Sequence, residues 1–391
     1  MTAESTQNFD ALEMQAQRLV AAFTAVGAEY IAPAIIQPAG LFLDVVGESL
    51  RARTYVFNDP DGRELCLRPD LTVPACRVYL ERDPSASSVA RFCYNGPAFR
   101  YQAVDAPKAN PREFRQAGIE CFGLGDRAAA DVEILLAVCR AVGAAGLTDT
   151  TIRIGDLGLF QALLGAVEMP SRWRRRLAHQ FWRPDIFRAE LKRLVTEPAT
   201  TAQGIDPALL ARIDPSDPVQ AEREVAAYIE SGEGELIGTR SITEITAGLM
   251  DAAADLKAGP LKGATADLIQ SFVGIAGTPR QSLDAMTKLA RGGGVAIDAA
   301  LAETSRRLDL MEAAGLDIGA VRFAADFGRT FEYYTGFVFE LVSPKLGNRS
   351  PVAGGGRYDG LLKAVGAPRD VPAVGAAIYT ERVLAALGGQ S

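Results

Sequence analysis

A single histidine, His179, stands in 391 residues, and one imidazole cannot by itself build a zinc site of the nitrogen and sulfur kind. The five cysteines, Cys66, Cys76, Cys93, Cys121 and Cys139, form no CxxC pair and sit among apolar neighbours. They read as buried thiols of a reducing cytosol, not as metal ligands, redox centres or disulfide partners. No apolar run is long enough to span a bilayer, and the opening MTAESTQNFD has no apolar core of a secretory signal. These absences set the expectation of a soluble cytoplasmic protein with no metal and no membrane contact. Positive charge is short as well: 41 Lys and Arg face 48 Asp and Glu, for a net charge of −7. Gripping nucleic acid takes a dense positive surface, so it is not expected as the main task, although a local basic patch is allowed. No internal repeat is visible.

What is present centres on Ala324 to Glu340, AADFGRTFEYYTGFVFE. Apolar and β-branched residues at its ends and a polar, aromatic middle predict two strands meeting at a pocket. There Arg329 stands near Glu332, Tyr333, Tyr334 and Thr335. A guanidinium beside phenols suits a small zwitterion, because paired N–H donors hold a carboxylate while a phenol both donates and accepts. An ordinary hairpin with exposed polar residues is the alternative. A second segment, VAGGGRYDGLL from Val352 to Leu362, sets three glycines just before Arg357 and Tyr358, which lets backbone approach backbone or ligand closely. It lacks the strand-before, helix-after setting of a dinucleotide loop.

The length suggests two domains. Helical spacing predicts a helix from Phe9 to Val26, and the turn NDPDG between Arg53–Phe57 and Glu64–Leu67 predicts a hairpin. In LRPDLTVP, Thr72 reads as the cap of a helix over Val73 to Leu80. Arg91 to Gly123 reads as strand, long polar loop, strand, with Arg100 ending the first strand. Gln116, Glu120 and Phe122 share one face of the second. A carboxylate on that largely apolar face needs a partner, and a neighbouring arginine is the structural reading. From 170 to 275 the pattern is helical without strand alternation and includes SRWRRRLAHQFWR. Arg172, Arg174, Arg175 and Arg176 in that run read as a solvated helix face in preference to a phosphate or acidic-partner contact.

Six segments in order then carry a resemblance: GRELCLRPDLTVP, the Arg100 strand with its loop, RQAGIECFG, RTFEYYTGFVFE, AGGGRYDGLL and PAVGAAIYTER. Together they resemble the catalytic core of class II aminoacyl-tRNA synthetases, specifically histidyl-tRNA synthetase and its non-tRNA paralogue, the regulatory subunit of ATP phosphoribosyltransferase. The resemblance implies an α+β fold with a six- or seven-stranded antiparallel sheet flanked by helices. The core would cover 1–169 and 276–391, with a helical insertion at 170–275 and a homodimer formed through the N-terminal third. It also implies a histidine pocket. Asp70, Thr72 and Gln116 would face the ammonium, Glu120, Tyr334 and Tyr358 the imidazole, and Arg329 the carboxylate, with Arg100 and Tyr333 alongside.

Departures from the synthetase pattern select the paralogue. The chain leaves no room for an anticodon-binding domain after PAVGAAIYTER, so no tRNA is expected. Where a working synthetase resembles FRxE, this chain has Phe99, Arg100, Tyr101 and Gln102, an amide in place of the carboxylate. Tyr379 stands where a glycine lies against the nucleotide, which should obstruct the adenine space. Asp70 stands where synthetases have glutamate. The expectation is a non-catalytic regulatory subunit, without cofactor, that binds L-histidine, joins a short-form ATP phosphoribosyltransferase catalytic subunit in a hetero-oligomer, and serves histidine biosynthesis. Arg100, Arg329 and Arg382 match positions that handle ATP or the activated carboxylate in active relatives. They keep open a histidine-adenylating enzyme; a scaffold with a dead pocket is the third reading.

Overall fold

Two ten-residue strands, Ala90–Phe99 and Glu113–Phe122, set the frame, and the second is buried from Gln116 to its end. A segment buried on both faces must be covered on both sides. The structure, a computed structural model, describes residues 6–43, 48–102, 111–181, 183–196, 206–231, 241–328 and 333–388. Its strands are β1 Glu29–Tyr30, β2 Ile36–Pro38, β3 Val56–Asn58, β4 Glu64–Leu67, β5 Ala90–Phe99, β6 Glu113–Phe122, β7 Thr151–Asp156, β8 Ala276–Gly277, β9 Arg322–Ala324, β10 Phe337–Val342, β11 Ala353–Arg357 and β12 Ala373–Tyr379.

The chain divides into two compact units. The first, Met1–Ala162 with Val273–Arg291 and Ala296–Ser391, holds a nine-stranded sheet in the order β1-β5-β6-β12-β11-β10-β7-β9-β8 and a small sheet β2-β4-β3. The run from β5 through β12 to β7 is antiparallel throughout and gives the six central strands of the expected fold class. The sheet is nevertheless wider than six or seven strands. Short edge strands add to it, β1 parallel to β5 and β9 parallel to β7. Parallel neighbours need crossover connections, and two- or three-residue strands leave no period-two signal for a sequence reading to catch. The two strands expected to meet around Ala324–Glu340 are β9 and β10, and they do not pair, because β7 lies between them. Arg329 and Glu332 fall outside the described residues. The NDPDG hairpin forms as β3 and β4, closed by the Arg63 backbone N–H donating to Asp59 Oδ1 at 2.8 Å.

Strand register assigns the faces. Gln116, Gly118 and Glu120 of β6 oppose Gly96, Tyr94 and Phe92 of β5 and Tyr379, Ala377 and Gly375 of β12, so these side chains share one face. The helix Thr72–Arg82 covers it, because Thr72 reaches Glu120. On the opposite face the helix Arg127–Ala144, capped by Asp126 accepting from the Ala129 N–H, brings in Asp131. That carboxylate is fully buried between Arg307 Nε and Arg357 Nε, each at 2.9 Å, and Arg307 also donates to Asp156 at 2.8 Å. Asp131 thus links β11, through Arg357, to the helix Asp298–Ala313, through Arg307.

The second unit, Leu163–Phe272 with Gly292–Val295, is helical among its described residues, including Ser171–Gln180, Pro184–Thr196, Pro218–Glu230 and Ile242–Ala258. The arginine run is not a wholly solvated face. Asp255, fully buried, accepts from Arg172 Nε, from Trp173 Nε1 at 2.6 Å and from Arg176 at 3.3 Å, and Arg176 also meets Glu190 at 3.2 Å. Only Arg175 of the run is exposed. Asp255 lies 79 residues beyond Arg176, so no local pattern announces it.

Removing one member of a buried ion cluster strands the others, which typically costs about 3–5 kcal/mol. Asp131→Ala is expected to lose that much in urea unfolding, while the exposed control Arg188→Ala loses under about 0.5 kcal/mol. A loss below about 1 kcal/mol for Asp131→Ala contradicts the clamp.

Candidate functional site

Glu120 has no exposed surface, and its carboxylate is held by three hydroxyls. Thr72 and Tyr94 donate to Oε1, each at 2.8 Å, and Tyr358 donates to Oε2. Each donor arrives from a different part of the fold: the start of the Thr72–Arg82 helix, the middle of β5, and the turn after β11. Two glycines make the space. A Cβ at Gly375 would stand 1.6 Å from Glu120 Oε2, and one at Gly118 would stand 2.4 Å from the Tyr94 ring. Any larger residue at either position forces the carboxylate or the phenol to move.

The sequence-derived residues gather here to different degrees. Thr72 and Tyr358 touch Glu120 directly. Thr72 is not the cap: the cap position is Leu71, without a side-chain bond to the helix, and the threonine hydroxyl is spent on Glu120. The partner role that an arginine was expected to play at Glu120 is filled by these hydroxyls. Tyr333, Tyr334 and Tyr358 form an aromatic group with ring centroids 4.8, 5.7 and 6.4 Å apart, all at most 8% exposed. Asp70, 3% exposed, accepts weakly from the Val73 N–H at 3.4 Å, while its Oδ2 has no hydrogen-bond partner. The Gln116 amide oxygen, also buried, likewise has none. Arg100 donates through Nε to Pro69 O at 2.8 Å and lies over the Phe114 ring at 4.8 Å. Arg329 lies outside the described residues. Tyr94 and Gly375 were missed by sequence reading. Their signal is a register one, Tyr94 opposite Gly118 and Gly375 opposite Glu120, and it appears only once the strands are aligned.

The Glu120 carboxyl stands raised to about 7: burial drives it up, nearby Asp70 adds to the rise, and the three hydroxyls oppose it. Burial also raises Asp70, against the opposing pull of Arg100. Buried carbonyl and carboxylate oxygens without donors cost free energy until a donor arrives. Asp70 Oδ2 and Gln116 Oε1 can each accept from a donor, and so can the remaining lone pair of Glu120.

Beside this cluster Tyr379, opposite Gln116 across the sheet, is 7% exposed. Its ring packs 5.9 Å from Phe114 and lies under the Arg382 guanidinium at 4.2 Å. Arg53 belongs to the same neighbourhood. Its pKa is lowered chiefly by burial and then by Arg100, with Tyr379 opposing and Arg382 adding. A cavity of about 450 Å³ opens on the other face of the sheet, among Arg127, Asp156, Arg307, Arg357 and Asp359. Its charges already pair with one another, so it offers a ligand less than the Glu120 side does.

The family profile described as histidyl-tRNA synthetase matches residues 5–259 and 247–383. An ATP phosphoribosyltransferase regulatory subunit of Chelativorans sp. (strain BNC1) is 36% identical over 363 residues, covering 91% of this chain and 92% of the relative. One from Brucella anthropi is 34% identical over 372 residues, covering 92% and 94%. Among solved structures, an ATP phosphoribosyltransferase regulatory subunit/histidyl-tRNA synthetase from Bacillus halodurans superposes with a TM-score of 0.68 at 20% identity, over 100% of this chain and 82% of that one. Histidyl-tRNA synthetase from Nostoc sp. PCC 7120 gives 0.61 at 15% identity, over 96% and 71%. At such identities the two structures speak for the fold alone.

A carboxyl whose pKa is higher folded than unfolded binds more protons in the native state. Its contribution is fully present below the unfolded value, about 4.3, and is lost as pH rises through about 7. Thermal unfolding between pH 5 and 8 should therefore show Glu120→Gln gaining on the wild type as pH rises. Parallel curves for the two proteins would mean that Glu120 is not held as described.

Proposed function

The chain belongs to the histidyl-tRNA synthetase-like family of ATP phosphoribosyltransferase regulatory subunits, and on that premise we propose that it is a non-catalytic, cytoplasmic regulatory subunit with a histidine pocket at Glu120. It pairs with a short-form ATP phosphoribosyltransferase catalytic chain, completes that enzyme's activity, and transmits feedback inhibition on the first step of histidine biosynthesis.

The observation that carries this reading is the acceptor set of the pocket. Asp70 Oδ2 and Gln116 Oε1 are buried acceptors without a donor, and Glu120 stands some way along the same face of β6 with its phenols. An amino acid with a basic ring supplies a donor at both ends. The ammonium binds at Asp70, Gln116 and Thr72, the imidazole at Glu120, Tyr334 and Tyr358, with Arg100 and Tyr333 lining the site. Arg329 receives the carboxylate.

Regulation requires histidine to bind one arrangement of the complex better than another, and a coupling of about 1–3 kcal/mol suffices. Two departures support the absence of chemistry: Gln102 in place of a carboxylate, and the Tyr379 ring packed between Phe114 and Arg382. Exposed apolar side chains in the N-terminal third, Tyr30, Ile35, Ile36, Val56 and Phe57, support a homodimer formed through that region.

One observation favours a second reading. Arg53, Arg100 and Arg382 gather around Tyr379, as a site for a polyphosphate would need, and a histidine-adenylating enzyme would use them. Histidine-dependent ATP–pyrophosphate exchange separates the readings. The isolated chain is expected to show none, and robust exchange would overturn the regulatory proposal. Calorimetry is expected to detect L-histidine binding that weakens more than tenfold in Tyr334→Phe, with the dimer intact by light scattering. Co-expression with a short-form catalytic chain is expected to yield a stable complex; a catalytic chain that is fully active and never associates would contradict the proposal.

A further inference from the structure

The donor and acceptor inventory of the pocket goes one step further, and this step rests on the histidine reading above. A carboxylate offers about four lone-pair sites, and three of Glu120's are taken by Thr72, Tyr94 and Tyr358. The groups that face it are drawn from every element packed around it. The helix Thr72–Arg82 brings Thr72 and the Cys76 thiol, the preceding loop brings Asp70, β5 brings Tyr94, the turn after β11 brings Tyr358, and β12 brings only Gly375. Burial, reinforced by Glu120 itself, holds the Cys76 thiol and both phenols well above their usual ranges. None of them releases a proton near neutrality. Arg100 and Arg68 act on Asp70, drawing its pKa down against burial.

A neutral imidazole can point one N–H at Glu120, but its other ring nitrogen is then an acceptor, and the Thr72, Tyr94 and Tyr358 hydroxyls already donate to the carboxylate. An imidazolium presents N–H at both nitrogens. We propose that the pocket binds histidine with one proton shared between Glu120 and the ligand's ring, so that the basicity of the ring, more than its size, determines which amino acid is accepted. The proton balance is simple: carboxylate with imidazolium, or carboxylic acid with imidazole, holds one proton in all. Tyr94 is a positioning residue in this scheme. With Thr72 it pins Oε1 and so fixes the direction in which the remaining acceptor site faces.

The sign of the pH dependence follows. Unbound, Glu120 titrates at about 7 and an imidazole at about 6.5. Above both values neither carries the proton, binding takes one up, and affinity falls toward tenfold per pH unit. Below both values each carries one, binding releases one, and affinity falls again. The maximum lies near neutrality.

The test is calorimetry of the full chain with L-histidine from pH 5.5 to 8.5, in phosphate and in Tris, whose different ionisation heats report the protons exchanged. The expected result is a bell-shaped affinity with uptake approaching one proton at pH 8.5 and release approaching one at pH 5.5. Arg188→Ala, an exposed control outside the pocket, keeps both limbs. Glu120→Gln abolishes the bell and leaves at most one limb, at the ligand ring's own value of about 6.5, apart from any limb belonging to the ligand's own ammonium. The near-isosteric 1,2,4-triazolyl-3-alanine, with a far less basic ring, is expected to bind more than tenfold more weakly than histidine at pH 7. Level affinity without proton exchange, or a triazole that binds equally well, overturns the shared proton while leaving the histidine site standing. Absence of any histidine binding across the range overturns the histidine reading, and this inference with it.

Discussion

The structure turns on one buried carboxylate. Glu120 lies in the middle of the sheet with no access to water, where an ionised group is tolerated only if its lone pairs are met. Meeting them with three neutral hydroxyls instead of a guanidinium keeps the group close to its titration point near neutrality. The arrangement forces glycine at 375 and at 118, a threonine at the first residue of the covering helix, and tyrosines on β5 and after β11. A purely structural carboxylate would be simpler to replace by an apolar residue; a group kept near neutrality with one acceptor site to spare is suited to meet a ligand.

The two faces of the sheet divide the work. On the side of the helix Arg127–Ala144, buried charges are mutually satisfied: Asp131 between Arg307 and Arg357, Asp156 on Arg307, Asp359 on Arg357. That face is a clamp. On the side of the helix Thr72–Arg82, buried acceptors at Asp70 and Gln116 lack donors. Rigidity on one side and unmet hydrogen-bonding capacity on the other are what a ligand sensor needs, since a sensor responds only if its ligand interacts differently with two arrangements.

Much of this was legible in the chain. The long central strands declared themselves by alternation around Arg91–Gly123, and the main helices by apolar spacing. Glu120 stood out as a carboxylate on an apolar face in need of a partner. What stayed hidden depends on distance in sequence. Asp255 pairs with Arg172 across 83 residues, so an arginine run that reads as a solvated face is half buried. Tyr94 and Gly375 matter only through register with Gly118 and Glu120. The edge strands β1, β8 and β9 are too short to show a period, and β7 inserts between two segments that look contiguous. Thr72 has the form of a helix cap and is instead a ligand of the carboxylate. A one-dimensional pattern sees local periodicity; it does not see which strand lies beside which.

The most direct measurement is a crystal structure of the protein grown with L-histidine and ATP together. Histidine is expected in the Glu120 pocket, with a ring nitrogen within hydrogen-bond reach of the carboxylate or its phenols, the ammonium against Asp70 and Gln116, and no adenylate formed. Histidine bound elsewhere, with Glu120 closed over by its three hydroxyls and making no contact with the ligand, or an adenylate seated beside Tyr379, would contradict the central claim.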